Sequence, residues 1–149
     1  MTKMTAGYSG TPLVKKLGVK EGFLVLVINP PNDYLDLVEP IPADVRFVGF
    51  PDDPPWPNNE IGQGFDLIHL FTNTRNELLM EVSESMRHMK PNGALWVSWF
   101  KKAARLPTEI TEDTVREAAV PLGLVDVKVC AVDEKWSGLK LVIRKENRL

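Results

Sequence analysis

Phe23-Leu24-Val25-Leu26-Val27-Ile28, followed by Asn29-Pro30-Pro31-Asn32, is the stretch on which the fold turns. Six consecutive apolar residues, three of them β-branched, suit a strand covered on both faces, because a half-exposed strand would alternate with polar residues. The four residues after it form a turn at the carboxyl end of that strand. Working outward, Thr11-Pro12 ahead of Leu13, Val14, Leu17 and Gly18 predicts a short helix, with Thr11 as hydroxyl cap, Pro12 at the first helical position and Gly18 as the stop. On the other side, Asp33 caps a predicted short helix over Tyr34 to Glu39, with Leu35 and Val38 turned to the sheet and Pro40 and Pro42 beyond its end. Arg46 to Phe50 reads as a second strand, stopped by Pro51.

Further along, Phe65 to Phe71 is apolar apart from Asp66 and His69 and runs into Thr72-Asn73-Thr74, a strand leading to a helix cap. Thr74-Arg75-Asn76-Glu77 has the spacing of a capping box, and Leu78, Leu79, Val82, Met86 and Met89 recur at helical intervals until Pro91-Asn92-Gly93. Ala94 to Phe100, with Ser98 as its only polar residue, predicts a buried central strand. Thr111 or Thr108 caps a last helix with a stripe of Val115, Ala118, Ala119 and Leu122, ended by Pro121 and Gly123. Val125 to Val132 and Leu139 to Arg144, separated by a polar segment with Ser137-Gly138, predict an antiparallel hairpin. Strands alternating with helices imply parallel crossovers and a three-layer α/β sandwich, broken only by that terminal hairpin.

At 149 residues, with 44% apolar and 26% charged residues, the chain is expected to be one globular α/β domain over 1–149, its first ten residues flexible. A net charge of −2 with no run of either sign disfavours nucleic acid. One cysteine, Cys130, with two histidines builds neither an internal disulfide nor a structural zinc site, so no metal is expected. The polar Met1 to Gly10 stretch lacks the apolar core of a signal peptide, and nothing later approaches membrane-spanning length; the expected location is the cytoplasm, without a membrane partner.

The element order resembles the class I methyltransferase fold, a mostly parallel Rossmann-like sheet whose last strand is antiparallel, from about Leu17 to Arg144. The phrases that carry this are Leu17-Gly18-Val19-Lys20-Glu21-Gly22, Gly64-Phe65-Asp66-Leu67-Ile68 and Met89-Lys90-Pro91-Asn92-Gly93, all scaffold connections. The chain as a whole is similar to a family of short bacterial proteins of unknown function, through Gly7-Tyr8-Ser9-Gly10-Thr11-Pro12, Lys101-Lys102 and Trp136-Ser137-Gly138-Leu139-Lys140. The first resemblance implies S-adenosylmethionine on a glycine-rich turn after the first strand. Here that turn is Asn29-Pro30-Pro31-Asn32, where two prolines remove N–H donors and fix φ. The fold is also trimmed between the second strand and Gly64, where little length remains for the adenine side of the pocket. No cofactor is therefore predicted, and S-adenosylmethionine is disfavoured. Asn29-Pro30-Pro31 also resembles the Asn-Pro-Pro-aromatic signature of some amino-group methyltransferases, but its fourth residue is Asn32, with Tyr34 two places on.

Ligands of open α/β sheets bind at the carboxyl ends of the parallel strands, a rim that gathers Asn29, Asp52, Asp53, Thr72, Asn73, Trp99, Lys101 and Lys102 as candidates. Asp52 or Asp53 is placed to hold ribose hydroxyls, or else is turn chemistry before Pro54-Pro55. Lys101, Lys102 and Arg105 clamp an anion or form a solvated basic loop. Trp56 and Trp136 read as hydrophobic plugs or partner-binding rings, His69 as a hydrogen-bonded core histidine, His88 as exposed beside Glu84, and Cys130 as a buried, inert thiol. Three functions follow: a non-catalytic or regulatory domain binding a small anionic ligand or a protein at the rim; a divergent methyltransferase or other transferase acting on an acidic small molecule; and a module assembling as a homo-oligomer through a sheet edge.

Overall fold

The computed structural model describes residues 11–49 and 64–148. Its elements are, in chain order, α1 (Leu13–Leu17), β1 (Leu24–Ile28), α2 (Tyr34–Leu37), β2 (Arg46–Val48), β3 (Phe65–Phe71), α3 (Arg75–His88), β4 (Met89–Phe100), α4 (Glu112–Ala119), β5 (Leu124–Ala131) and β6 (Trp136–Ile143). They build one six-stranded sheet in the order β2-β1-β3-β4-β6-β5. The pairs β1–β2, β1–β3 and β3–β4 are parallel, whereas β6 runs antiparallel to both β4 and β5. The terminal hairpin is thus present, and its second strand is the one inserted next to β4. The chain leaves β1 toward β2 on one side and β3 on the other, so the order reverses between β1 and β3, the position at which open α/β sheets receive ligands.

Strand alternation divides the interior into two layers. Leu26, Ile68, Leu70, Leu95, Val97, Leu139 and Leu141 meet α3 and α4, through Leu78, Val82, Val115, Ala118 and Ala119. On the opposite face, Val25, Val27, Leu67, Phe71 and Trp96 meet α1 and α2, through Leu13, Val14, Leu17 and Tyr34. Trp96 donates from Nε1 to the Leu17 carbonyl at 2.9 Å, which fixes the end of α1 on the middle of β4. Asp66, the one carboxylate in β3, accepts from the Leu24 amide and from Lys90 Nζ, each at 2.8 Å, and so ties the amino ends of β1, β3 and β4.

Several local expectations shift. Pro12, not Thr11, holds the N-cap position of α1, with no side-chain cap. In α2, which ends at Leu37, Tyr34 and Val38 are buried and Leu35 is exposed, because one short turn presents only its first and fifth positions to the sheet. Leu79 likewise faces outward and Ser85 takes its place inside α3. Thr74 does cap α3, accepting from the Glu77 amide at 3.4 Å, yet the Glu77 side chain turns to Thr72 instead of closing the box. Thr111 caps α4 in a full capping box with Thr114. Leu122 falls in a 3-10 turn after α4 and is exposed. Pro91-Asn92-Gly93 does not separate helix from strand: Phe65 pairs with Met89 and Leu67 with Ala94, so these residues bulge within β4. Ser137-Gly138 belongs to β6, where Gly138 sits under Trp96 and Val132 with 3.2 Å to either from an added Cβ.

Candidate functional site

The carboxyl ends of β1, β3 and β4 lie side by side, and most of their polar groups are satisfied by one another. Asn29 follows β1 in a left-handed conformation (φ 56°), which asparagine tolerates better than most residues. Its Nδ2 donates to the Phe71 carbonyl at 3.4 Å, across the β1–β3 reversal. Pro30 and Pro31 then offer no N–H, and the Pro31 carbonyl accepts from Tyr34 as α2 begins. Beside them, Gly49 (φ 97°) ends β2 with its Cα so close to the Val27 carbonyl that a Cβ would collide with it.

Thr72 is buried; its Oγ1 donates to Glu77 Oε1 at 2.6 Å and its amide to the Ser98 carbonyl at 3.0 Å. Asn73 Oδ1 accepts from the Phe100 amide at 2.8 Å, and its carbonyl accepts from the Glu109 amide at 2.8 Å. Glu109 Oε1 in turn accepts from the Arg75 amide at 2.8 Å, so a carboxylate of the chain itself occupies the first turn of α3. Trp99 points into the α3–α4 layer, 6% exposed, away from the rim. Lys101 is half-buried and donates its amide to the Lys135 carbonyl at 2.8 Å; Lys102 and Arg105 are exposed. Among the described residues no carboxylate pairs with these three cations. The structure therefore brings Asn29, Thr72, Asn73, Lys101 and Lys102 to one rim and removes Trp99 from it. Asp52, Asp53 and Trp56 lie outside the described residues.

Beneath the rim is a network that no sequence motif announces. His69 is fully buried, accepts or donates at Nδ1 with Tyr34 Oη (2.9 Å) and at Nε2 with Ser98 Oγ (2.8 Å). Either neutral tautomer satisfies all three groups, since each hydroxyl both donates and accepts. Burial holds the imidazole down at about 3, far below its usual 6.5, and pushes the Tyr34 phenol above its ordinary range. Phe71 stacks on His69 with centroids 4.3 Å apart, and Trp136 meets Phe71 edge-on at 4.9 Å and Phe100 at 4.4 Å. Trp136 is thus a plug at the rim end of an aromatic column. The spacing of Ser98, His69 and Tyr34 is that of a nucleophile, base and orienting group, but all three are 0–1% exposed, closed off from solvent. The signals for this network were the lone polar residues His69 and Ser98 at the centre of two apolar strands; nothing marked Tyr34 as their partner. His88, at helical spacing from Glu84, is half-buried and bonded to it at 3.2 Å. Cys130 is half-buried, not fully so, and burial raises its thiol.

Among the described residues no helix is long and apolar enough to cross a membrane, and no group of three or more His, Cys, Asp or Glu residues is arranged to hold a metal ion. Solved structures similar to this one share its fold. A SAM-dependent methyltransferase from Aquifex aeolicus matches with a TM-score of 0.63 at 20% identity over 88% of each chain. The ribosomal protein L11 methylase from Lactobacillus delbrueckii subsp. bulgaricus matches with 0.60 at 13% identity, over 89% of this chain and 75% of that one. Aeropyrum pernix fibrillarin, solved with natively bound S-adenosyl-L-methionine, matches with 0.59 at 14% identity, over 91% and 70%. At these identities the likeness speaks for the mostly parallel Rossmann-like sheet and for nothing finer. No curated protein matches the chain significantly. Residues 59–145, more than half of the sequence, match the family described as "Protein of unknown function (DUF3052)", and the chain belongs to that family.

Proposed function

We propose that this chain is a non-catalytic binding domain, which keeps the sheet of the class I methyltransferases without their methyl-transfer site and takes a small anionic ligand at the strand-end rim. The observation that carries the reading is the Asn29 side chain bonded to the Phe71 carbonyl across the β1–β3 reversal, followed by two prolines. A ligand seated there needs backbone N–H groups and close approach, and this turn supplies neither. The polar side chains of Thr72 and Asn73 are likewise engaged within the chain. What remains for a ligand is cationic: Lys101 and Lys102, which follow Phe100 in the chain, and Arg105 three residues on, with the Phe100 and Trp136 rings packed together at the same strand ends. That combination suits a flat ring carrying an anionic group.

Thermal-shift and tryptophan-fluorescence titrations with S-adenosylmethionine, S-adenosylhomocysteine and a nucleoside monophosphate test the reading. The expected result is no response to either adenosyl compound. The nucleotide should bind, and Lys101→Ala with Lys102→Ala should weaken it about tenfold. Saturable binding of an adenosyl compound sinks the non-catalytic reading; nucleotide binding indifferent to both lysines sinks the rim assignment.

A further inference from the structure

A second concentration of positive charge lies on the α1 face of the sheet, along its β5 edge. Lys15 and Lys16 of α1 and Lys128 of β5 line an open groove of about 340 Å³, whose wall also carries Thr11 and Cys130. Lys128 pairs in register with Lys140 of β6, so two ammonium side chains stand opposite each other on neighbouring strands, an arrangement that is destabilising in itself. The Lys140 ammonium is folded in toward Gly18, 3.7 Å from where a Cβ on that residue would stand. Burial, and then the charges of Lys128 and Lys20, push Lys140 below the usual lysine range. Lys128 Nζ donates to the Lys16 carbonyl at 3.4 Å, a contact that leaves its charge uncompensated. Every ion pair among the described residues lies elsewhere, on Glu84, Asp66, the Arg116 cluster and Arg144. On a chain of net charge −2, Lys15, Lys16 and Lys128 thus line one groove whose described lining holds no carboxylate, with Lys140 opposite Lys128 on the next strand.

We propose that the α1–β5 groove is a binding site for a small phosphate-bearing anion, separate from the rim and independent of how the rim is read. Three lysines on one groove, each with a rotatable ammonium group, match the multiple oxygens and charges of phosphoryl groups. The groove volume lies at the small end of the range for ligand sites of about 300–1,000 Å³. A nucleic acid would need a longer basic track than one groove on a net negative chain provides. Binding relieves the repulsion between Lys128 and Lys140. It also covers Cys130, the only cysteine of the chain, which serves as a built-in reporter.

The test is a titration of the full chain with inorganic tripolyphosphate at constant ionic strength, read by calorimetry and by the rate at which iodoacetamide alkylates Cys130. The site predicts saturable binding and alkylation that slows in step with occupancy. Lys128→Gln with Lys140→Gln should weaken binding about tenfold or more, while Arg87→Gln with Lys145→Gln, an equal change of charge elsewhere, should not. Circular dichroism checks that the variants fold, and protection of Cys130 in the unaltered chain stands if they do not. The proposal is overturned if binding fails to saturate at constant ionic strength, or if saturation leaves the alkylation rate unchanged. It is equally overturned if binding survives Lys128→Gln with Lys140→Gln and is lost instead in Lys101→Ala with Lys102→Ala.

Discussion

The two faces of the sheet are filled by different chemistry. Against α3 and α4, both capped and running 14 and 8 residues, the packing is mostly aliphatic, built from leucine, isoleucine, valine and alanine with Phe65, Met89 and Trp99. Against α1 and α2, of five and four residues, the helices supply little surface, and the strands fill the layer with their own large rings: Phe71, His69 and Trp96, with Tyr34 from α2. Aromatic side chains of that size bring polar atoms with them, which burial makes costly unless each finds a partner. Hence the Tyr34–His69–Ser98 chain and the Trp96 bond to Leu17 occur on this face. Short helices on one side thus lead to a polar, aromatic interior directly below the rim, where the sheet order reverses.

If this contrast is right, the largest losses of stability come from the aromatic face. His69→Ala should cost about 4 kcal/mol in urea unfolding, because it leaves a cavity and removes one hydrogen-bond partner from each of two buried hydroxyls. His69→Phe, which keeps most of the volume, should still cost about 2–3 kcal/mol; a neutral outcome would make the network dispensable. The pH dependence of the same residue sharpens the point. The imidazole sits at about 3 in the folded chain against 6.5 as its ordinary value, so the unfolded chain binds the extra proton between those pH values. The stability that neutral His69 contributes is complete above pH 6.5 and falls as the pH drops toward 3, by at most about 1.4 kcal/mol per pH unit. The difference between the unaltered chain and His69→Gln, measured across that window, should shrink with acid; a constant difference contradicts a buried neutral imidazole.

On the aliphatic face, Leu78→Ala should cost about 3 kcal/mol, through cavity formation alone and with no pH dependence of its own. Thr74→Ala removes the α3 cap and should cost about 1 kcal/mol. The smallest effect belongs to the rim: Asn29→Gly keeps the left-handed backbone and removes only the long bond to Phe71, so stability should change by less than about 0.5 kcal/mol. A large loss there would mean that the bridge across the reversal is a major structural tie.

Much of the fold was legible because it depended on local patterns. Uninterrupted apolar runs identified β1, β3 and β4, and Thr74 and Thr111 marked the starts of α3 and α4. Single polar residues inside those runs, Asp66, His69 and Ser98, pointed to buried partners without naming them, since Leu24, Tyr34 and Lys90 lie 24–42 residues from the atoms they bond. Elements of one turn were read least well: in α1 and α2 a shift of one position changes which side chain is buried, as with Leu35 and Tyr34. At the rim, the sequence located the strand ends but not their mutual hydrogen bonds, because Asn29, Thr72 and Asn73 look the same whether they bind a ligand or each other's strands. The place of Trp99 near a strand end suggests the rim, yet strand alternation turns it into the core.

The central claim, that the methyl-transfer site is not kept, is tested most directly by calorimetric titration of the purified chain with S-adenosylmethionine. The account predicts no saturable binding up to about 1 mM. One-to-one binding in the micromolar range, weakened by Asn29→Ala, would contradict it and make the turn after β1 a working cofactor site.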